Sequence, residues 1–214
     1  MTAIFSSKGN KVIKNKDGMY TLESSSSLFL SYATGSIKNI TRSNLSSIEF
    51  KGDSVMSLAQ LLSHHKHGLA YEAVEEMTRQ LIEQIKFFER NDFGLLFLAP
   101  DDILVINNEV YIIVNTDMFK RREKEMLTID RPYRKTDFSP PDFLSVKTLP
   151  HKVYYKSGYY SVAAVGIWSL LKSHSIKSES DIDETLLPIV QTPLYWFFKR
   201  ALQKDIAERY IILI

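Results

Sequence analysis

The sequence predicts an α+β protein in which a small β-rich part, residues 1–52, precedes a larger and mostly helical part, residues 53–214. Two patterns lead to this prediction. In the first part, short apolar or β-branched runs alternate with Asp, Asn, Gly and Ser, which is typical of strands joined by tight turns. After Gly52, apolar residues recur at gaps of three and four, which is typical of amphipathic helices.

The β-rich part is expected to contain a hairpin and two further strands. Asp17 and Gly18 readily adopt the positive φ angles of a tight turn, so the runs on either side of them should pair. The predicted strands are residues 11–14, 19–22, 28–32 and 47–50. Only nine residues separate Lys38 from Ile48, which leaves no room for a helix between them. We therefore expect this part to consist of a few strands.

The larger part is expected to contain four helices and a second hairpin. The predicted helices lie around residues 58–62, 74–88, 159–171 and 192–203. The second helix has its apolar residues on one face and its charged residues largely on the other. Asn107 and Asn108 are a natural tight-turn pair between the apolar runs 104–106 and 110–114, so these runs should form paired strands.

The composition is that of a globular protein, with 44% hydrophobic and 24% charged residues. The absence of cysteine excludes disulfides, thiolate catalysis and cysteine-based zinc sites. The N-terminus does not resemble a secretory signal, and no apolar run is long enough for a membrane span. We therefore expect an intracellular protein, cytoplasmic or nuclear, without a membrane span.

The net charge of +2 is too small to favour nucleic acid as a partner, but positive charge is concentrated in one segment. Residues 120–135 contain seven basic residues against three acidic ones. The basic residues are Lys120, Arg121, Arg122, Lys124, Arg131, Arg134 and Lys135. We expect a polar surface connection that is either simply solvated or contacts nucleic acid, a phosphorylated partner or an acidic protein surface. Because no nucleic-acid motif accompanies it, a protein partner is favoured.

Residues 95–105, LLFLAPDDILV, resemble the catalytic loop of protein kinases, HRDLKPENILV, position by position. Three further segments resemble kinase motifs and follow in the order that the family has. Residues 110–117, VYIIVNTD, are similar to the strand that leads to the metal-binding DFG motif. Residues 138–142, FSPPD, are similar to the end of the activation segment, and residues 205–209, DIAER, to a motif near the end of the kinase domain. Four matches in order make the resemblance stronger than any one of them.

The resemblance implies a protein kinase-like fold, with a reduced β-rich N-terminal lobe at residues 1–52 and a mostly helical C-terminal lobe at residues 53–214. It also implies an ion pair between Asp142 and Arg209, which stand where kinases pair a glutamate with an arginine. Such a pair would tie the activation segment to the end of the lobe.

The residues that perform kinase chemistry are replaced in this chain. By the resemblance, Phe97 stands at the catalytic aspartate, Ala99 at the phosphate-contacting lysine and Asn115 at the metal-binding aspartate. Asp102 stands at the asparagine that helps to bind a second metal ion, which a carboxylate could still do. Gly9 is the only glycine where a phosphate-covering loop needs several. The sequence therefore predicts a pseudokinase with no catalytic residue, no metal site and no cofactor, in which Phe97 is buried.

Three functions remain open on this evidence. The first is a non-catalytic scaffold, adaptor or assembly component that binds a protein partner, with the basic residues of segment 120–135 as the candidate contact. The second is a divergent nucleotide-binding kinase that uses Asp102 and Asp117 for metal. The third is a non-catalytic module that captures a helix or peptide in the groove of the helical lobe. A minimal kinase remnant would also suit a large DNA virus, as a regulatory protein or in the virion.

Overall fold

The computed structural model of the protein describes residues 2–7, 9–172 and 179–209, and it shows mixed α and β structure with antiparallel sheets. The strands are β1 (Thr2–Ser7), β2 (Asn10–Lys14), β3 (Met19–Ser24), β4 (Ile40–Ser43), β5 (Ser47–Lys51), β6 (Val55–Ser57), β7 (Phe93–Leu95), β8 (Ile103–Ile106), β9 (Val110–Ile113), β10 (Phe119–Glu123), β11 (Met126–Ile129) and β12 (His151–Tyr154). The α-helices are α1 (Ser27–Ser36), α2 (Leu58–His64), α3 (Tyr71–Glu89), α4 (Pro141–Leu144), α5 (Ser157–Leu171), α6 (Glu179–Leu186) and α7 (Pro193–Ala201).

The N-terminal region is a five-stranded antiparallel sheet in the order β1-β2-β3-β5-β4. Val12 pairs with Leu22, and Leu22 pairs with Ile48, so these side chains lie next to each other on one face of the sheet. All three are fully buried. The helix α1 packs against β3 and β5 and contributes Phe29 to the same core. The predicted hairpin around Gly18 is confirmed as β2 and β3.

The prediction of a strand at residues 28–32 is wrong, because these residues form the first half of α1. The Ser26 side chain accepts a hydrogen bond of 3.2 Å from the Phe29 N–H and caps the helix. Phe29 and Ala33, four residues apart, are both buried. No helix lies between Lys38 and Ile48, as expected, but the region does not consist of strands alone, because α1 precedes Lys38. Lys38 lies exposed between α1 and β4, outside any strand.

The C-terminal region is built around α3 and α5, which pack against each other. The predicted helices are confirmed as α2, α3, α5 and α7, and the predicted Asn107–Asn108 hairpin as β8 and β9. Gly166 allows a close approach of α5 to α7, because a Cβ atom there would lie 2.7 Å from the Phe198 ring. At the start of α5, a Cβ atom on Gly158 would lie 2.5 Å from the carbonyl oxygen of Leu95.

Segment 120–135 does not form the polar connection that the sequence predicts. Most of it is the hairpin of β10 and β11, which continues into a four-stranded sheet in the order β12-β11-β10-β7. Leu127 and Ile129 of β11 are buried, while Met126 and Thr128, which alternate with them along the strand, are partly exposed. The alternation of Leu127 and Ile129 is short and lies in a strongly charged segment, so it was too weak a pattern to predict a strand. Among the described residues, no helix combines the length and apolar character needed to cross a membrane.

Candidate functional site

A cavity of about 460 Å³ lies between segment 97–102, segment 115–118, segment 133–138 and the helices α2 and α5. Its volume falls within the range of small-molecule and anchor pockets. Much of its lining is apolar, provided by Ala59, Phe97, Pro100, Met118, Tyr133, Phe138 and Trp168. Its polar lining includes Asp101, Asp102, Asn115, Arg134 and Thr136. The structure thus brings together Phe97, Ala99, Asp102, Asn115 and Arg134 from the residues that the sequence singled out.

Phe97 lines this cavity and belongs to an aromatic cluster. Its side chain is 5% exposed. Its ring lies 4.6 Å from the Phe143 ring and 6.1 Å, edge to face, from the Tyr133 ring, measured between centroids. Such aromatic pairs stabilise the fold beyond the area they bury. A phenyl ring in this position can neither accept a proton nor bind a metal ion.

The Asp102 carboxylate accepts hydrogen bonds from two residues that are near it in sequence. Asn115 Nδ2 donates to Asp102 Oδ1 at 2.7 Å, and the Ala99 N–H donates to Oδ2 at 2.8 Å. Burial raises the pKa of Asp102, while the two hydrogen bonds oppose the rise and the neighbouring Asp101 adds to it. Both carboxylate oxygens therefore have a partner without any bound ion.

Asp117, the other candidate metal ligand, forms an ion pair with Arg131. Its carboxylate is therefore already neutralised by a cation of the same chain. In the part of the chain that the structure describes, no three His, Asp or Glu side chains converge where a metal ion could be held.

Four of the seven basic residues in segment 120–135 contact other groups of the chain. Arg131 pairs with Asp117, and its guanidinium lies 5.0 Å from the Tyr133 ring, which Lys120 approaches to 5.5 Å. Lys135 Nζ donates to the Leu144 carbonyl at 2.6 Å. These contacts keep Lys120, Arg131 and Lys135 directed toward the protein.

Of the other four basic residues, Arg122 also contacts groups of the chain. Arg122 lies 3.6 Å from Asp92 and 4.9 Å from the Tyr155 ring. Arg121, Lys124 and Arg134 are exposed, and within the described residues their side chains have no charged, hydrogen-bonding or aromatic partner. The positive charge available to a partner is thus smaller than the sequence count suggests.

Asp142 and Arg209, the pair expected from the sequence, are in contact. Arg209 Nη1 lies 3.1 Å from Asp142 Oδ1, and the Arg209 side chain is 0% exposed. Arg209 Nε also donates to the Gln203 carbonyl at 2.7 Å, and the guanidinium lies 5.4 Å from the Tyr160 ring. The Ser157 hydroxyl donates to the second oxygen of Asp142. This junction joins α4, α5 and the segment after α7.

Sequence reasoning missed Asn10, at the start of β2. Its side chain is buried, and Nδ2 donates to the Val114 carbonyl and to Thr116 Oγ1, the latter at 2.9 Å. Its Oδ1 accepts a hydrogen bond from Ser24. The signal available was strand alternation, because Asn10 lies two residues before the buried Val12 and so faces the same side of the sheet.

A comparison of the sequence with models of known protein families gives no match, and a comparison with curated proteins gives no significantly similar sequence. The assignment of a function therefore depends on the residues and geometry described above.

Proposed function

We propose that the chain is a non-catalytic, protein kinase-like protein that acts by binding a protein partner, as a scaffold, adaptor or assembly component. The observation that carries the proposal is Phe97. The resemblance assigns this position to the catalytic carboxylate, and the side chain is instead buried against Phe143 and Tyr133. Phosphoryl transfer requires a residue that orients the acceptor hydroxyl, and an aromatic hydrocarbon supplies no such group.

The arrangement of the chain supports the kinase-like part of the proposal. An antiparallel sheet with one inserted helix precedes a larger region built around α3 and α5. The junction of Asp142 and Arg209 connects the two segments that the resemblance predicts to be paired. Since Asp142 and Arg209 are paired, while Phe97 and Ala99 stand where the resemblance expects the catalytic aspartate and the phosphate-contacting lysine, a binding role fits the chain better than catalysis.

The apolar lining of the 460 Å³ cavity favours a specific form of this function, the capture of a helix or peptide in the groove. Trp, Tyr and Arg are enriched among the residues that dominate the binding energy of protein interfaces, and this cavity is lined by Trp168, Tyr133 and Arg134. Arg134 lines the same cavity and is exposed, and Arg121 and Lys124 are exposed on the hairpin of β10 and β11. A partner with apolar anchor residues and acidic flanks would complement both features.

A thermal-shift measurement with magnesium and ATP separates this function from a nucleotide-binding kinase. A native-state ligand present at 100 times its dissociation constant stabilises a protein by about 2.7 kcal/mol, so millimolar Mg·ATP would raise the melting temperature clearly if it bound with a dissociation constant of about 10 μM. We expect millimolar Mg·ATP to leave the melting temperature unchanged. A rise that Asp102→Ala or Asp117→Ala abolishes, and the control Asp130→Ala preserves, would establish the metal-dependent alternative.

The partner-binding role is tested by charge reversal at Arg121, Lys124 and Arg134, the exposed basic residues whose side chains have no partner among the described residues. Partners captured by the wild-type protein from cells that contain it should be lost or strongly reduced with the triple Glu variant. The matched control reverses Lys11, Lys51 and Lys204, which are distant in sequence from this hairpin. If both triple variants retain the same partners, the basic residues do not contribute to recognition.

A further inference from the structure

We propose that Asn10 is a latch: its side-chain hydrogen bonds hold the N-terminal sheet closed over the segment that leads into the cavity. The proposal concerns the conformation of the chain and does not depend on the identity of a partner. It goes beyond the loss of catalysis, because it assigns a role to a residue outside the catalytic-loop segment.

The latch is built into the end of the β1–β2 hairpin. Gly9 has a φ of +95°, a conformation that favours glycine, and its carbonyl accepts a hydrogen bond of 2.9 Å from the Ser25 N–H. This contact fixes the chain immediately before Asn10. The Asn10 side chain lies on the same face of the N-terminal sheet as the buried Val12 and is 3% exposed.

The hydrogen bonds of Asn10 cross from one region to the other. Its amide nitrogen donates to Val114 and Thr116, which are 104 and 106 residues further along the chain. On the N-terminal side, its oxygen accepts from Ser24 Oγ, which in turn accepts from the Ser26 N–H at 3.0 Å. The side-chain amide therefore uses its two hydrogens on one region and its oxygen on the other.

The segment that Asn10 grips contains a cavity residue. Val114 and Thr116 are the two neighbours of Asn115, whose side chain holds Asp102 at 2.7 Å and lines the cavity. A continuous chain of hydrogen-bonded or adjacent groups thus runs from the cap of α1, through Asn10, to the polar side of the cavity. Closure of the hairpin and the position of Asn115 are physically coupled.

The burial of the Asn10 amide favours two distinct states of this contact, closed and open. The Asn10 amide is buried with its hydrogen bonds satisfied, and lifting it away without water reaching it would leave unpaired polar groups. Opening therefore requires the hairpin to move far enough for water to enter, so intermediate positions are disfavoured. By linkage, a ligand that needs Asn115 in its observed position favours the closed hairpin, and a closed hairpin favours that ligand to the same degree.

Amide hydrogen exchange, measured by mass spectrometry on the intact protein, tests the latch. In Asn10→Ala we expect exchange to accelerate about tenfold or more in two separated segments, residues 10–14 and residues 114–118, because a lost buried hydrogen bond changes a local opening equilibrium by about this factor. Exchange in α3 should remain as in the wild type. Thr116→Val, which removes one acceptor at nearly constant shape, should accelerate the same two segments to a smaller extent.

Asn15→Ala is the matched control. Asn15 Nδ2 donates to Thr21 Oγ1 at 2.7 Å, so this bond stays within the N-terminal sheet. We expect it to affect only residues near positions 14–21. If Asn10→Ala accelerates exchange in β2 and leaves residues 114–118 unchanged, the latch does not exist.

A uniform acceleration of exchange over the whole chain, in Asn10→Ala or in Thr116→Val, would overturn the proposal, because the substituted residue would then act only on global stability. If Asn10→Ala does not fold, Thr116→Val tests the proposal alone. Faster exchange in both residues 10–14 and residues 114–118 supports it, and faster exchange in one segment or in neither contradicts it. These outcomes are independent of Mg·ATP binding, so the proposed function and the latch can fail separately.

Discussion

Two regions of the molecule each hold a partly buried aspartate, and the partners of the two carboxylates differ. Asp102, at the cavity, accepts hydrogen bonds from the neutral Asn115 amide and the Ala99 N–H. Asp142, at the junction, faces the guanidinium of Arg209, whose side chain is fully buried. At the junction, an aspartate and an arginine of opposite charge thus join segments that are 67 residues apart. At the cavity, where the resemblance would place chemistry, the aspartate is held by neutral groups.

The largest expected effect is at the junction. Arg209→Ala removes the cation from Asp142 and the hydrogen bond to Gln203, and loss of one partner of a buried pair costs about 3–5 kcal/mol of unfolding free energy. Urea denaturation measures this change. Arg200→Ala is the control, since Arg200 is partly exposed and lies 6.0 Å from the Trp196 ring, a contact worth about 1 kcal/mol or less.

A double-mutant cycle sharpens the same test. If Asp142 and Arg209 stabilise the fold through each other, the losses in Asp142→Ala and Arg209→Ala should fall short of additivity by about 0.5–3 kcal/mol. Strict additivity would show that each residue acts through other neighbours, and the contrast between the two regions would then lose its basis.

At the cavity, Phe97→Ala should destabilise the protein by about 3 kcal/mol, because a buried aromatic side chain is lost from its contacts with Phe143 and Tyr133. Phe97→Asp should cost more, since it also buries a charge without a cationic partner. Chemical denaturation measures both. Leu45→Ala is the apolar control, because Leu45 is 94% exposed and its loss should change the unfolding free energy by less than about 0.5 kcal/mol. An aspartate at position 97 that left stability unchanged would show that the site still accepts a carboxylate.

A smaller effect is expected in the pH dependence of stability that Asp102 causes. Burial raises the folded-state pKa of Asp102 above its unfolded value of about 3.9. The contribution of Asp102 to stability is therefore fully present below the unfolded pKa and is lost as the pH rises through the folded pKa. Asp102→Asn does not titrate, so its stability relative to the wild type should improve between pH 4 and pH 7. Parallel stability curves at equal ionic strength would show that the carboxylate is not under strain from burial.

The smallest effect is expected in the basic segment. The ion pair of Arg131 with Asp117 is about one third exposed on the arginine side, so Arg131→Gln should cost at most about 1 kcal/mol. Arg121→Gln should change the unfolding free energy by less than about 0.5 kcal/mol, because Arg121 is exposed. Equal losses in urea denaturation would mean that Arg121 has a structural role as well.

The elements that the sequence predicted well are those with a strong local pattern. The helix α3 extends over 19 residues with one apolar face, and the β8–β9 hairpin turns at Asn107 and Asn108, which have φ values of 55° and 57°. In both cases the local pattern and the tertiary packing favour the same structure. The contact between Asp142 and Arg209 could also be anticipated, although only through the resemblance and not from periodicity.

The elements that were missed depend on contacts distant in sequence. The short apolar run Leu28–Phe29–Leu30 is compatible with a strand or a helix, and its packing on β3 and β5 favours the helix, for which the Ser26 cap was the one local signal. The hairpin of β10 and β11 gains its order from pairing with β7 and β12 on either side. The role of Asn10 requires Val114 and Thr116, which no local pattern could place beside it.

The long separation of the Asn10 contacts has a consequence for the order of folding. The hairpin of β2 and β3 and the helix α1 form from residues close in sequence, whereas the contact of Asn10 with Val114 closes a loop of 104 residues. Closing such a loop has an entropic cost that is offset only once both regions are in place. We therefore expect the N-terminal sheet to assemble on its own timescale and to dock onto the rest of the chain late. Under mild denaturant, the same interface should be the first to separate.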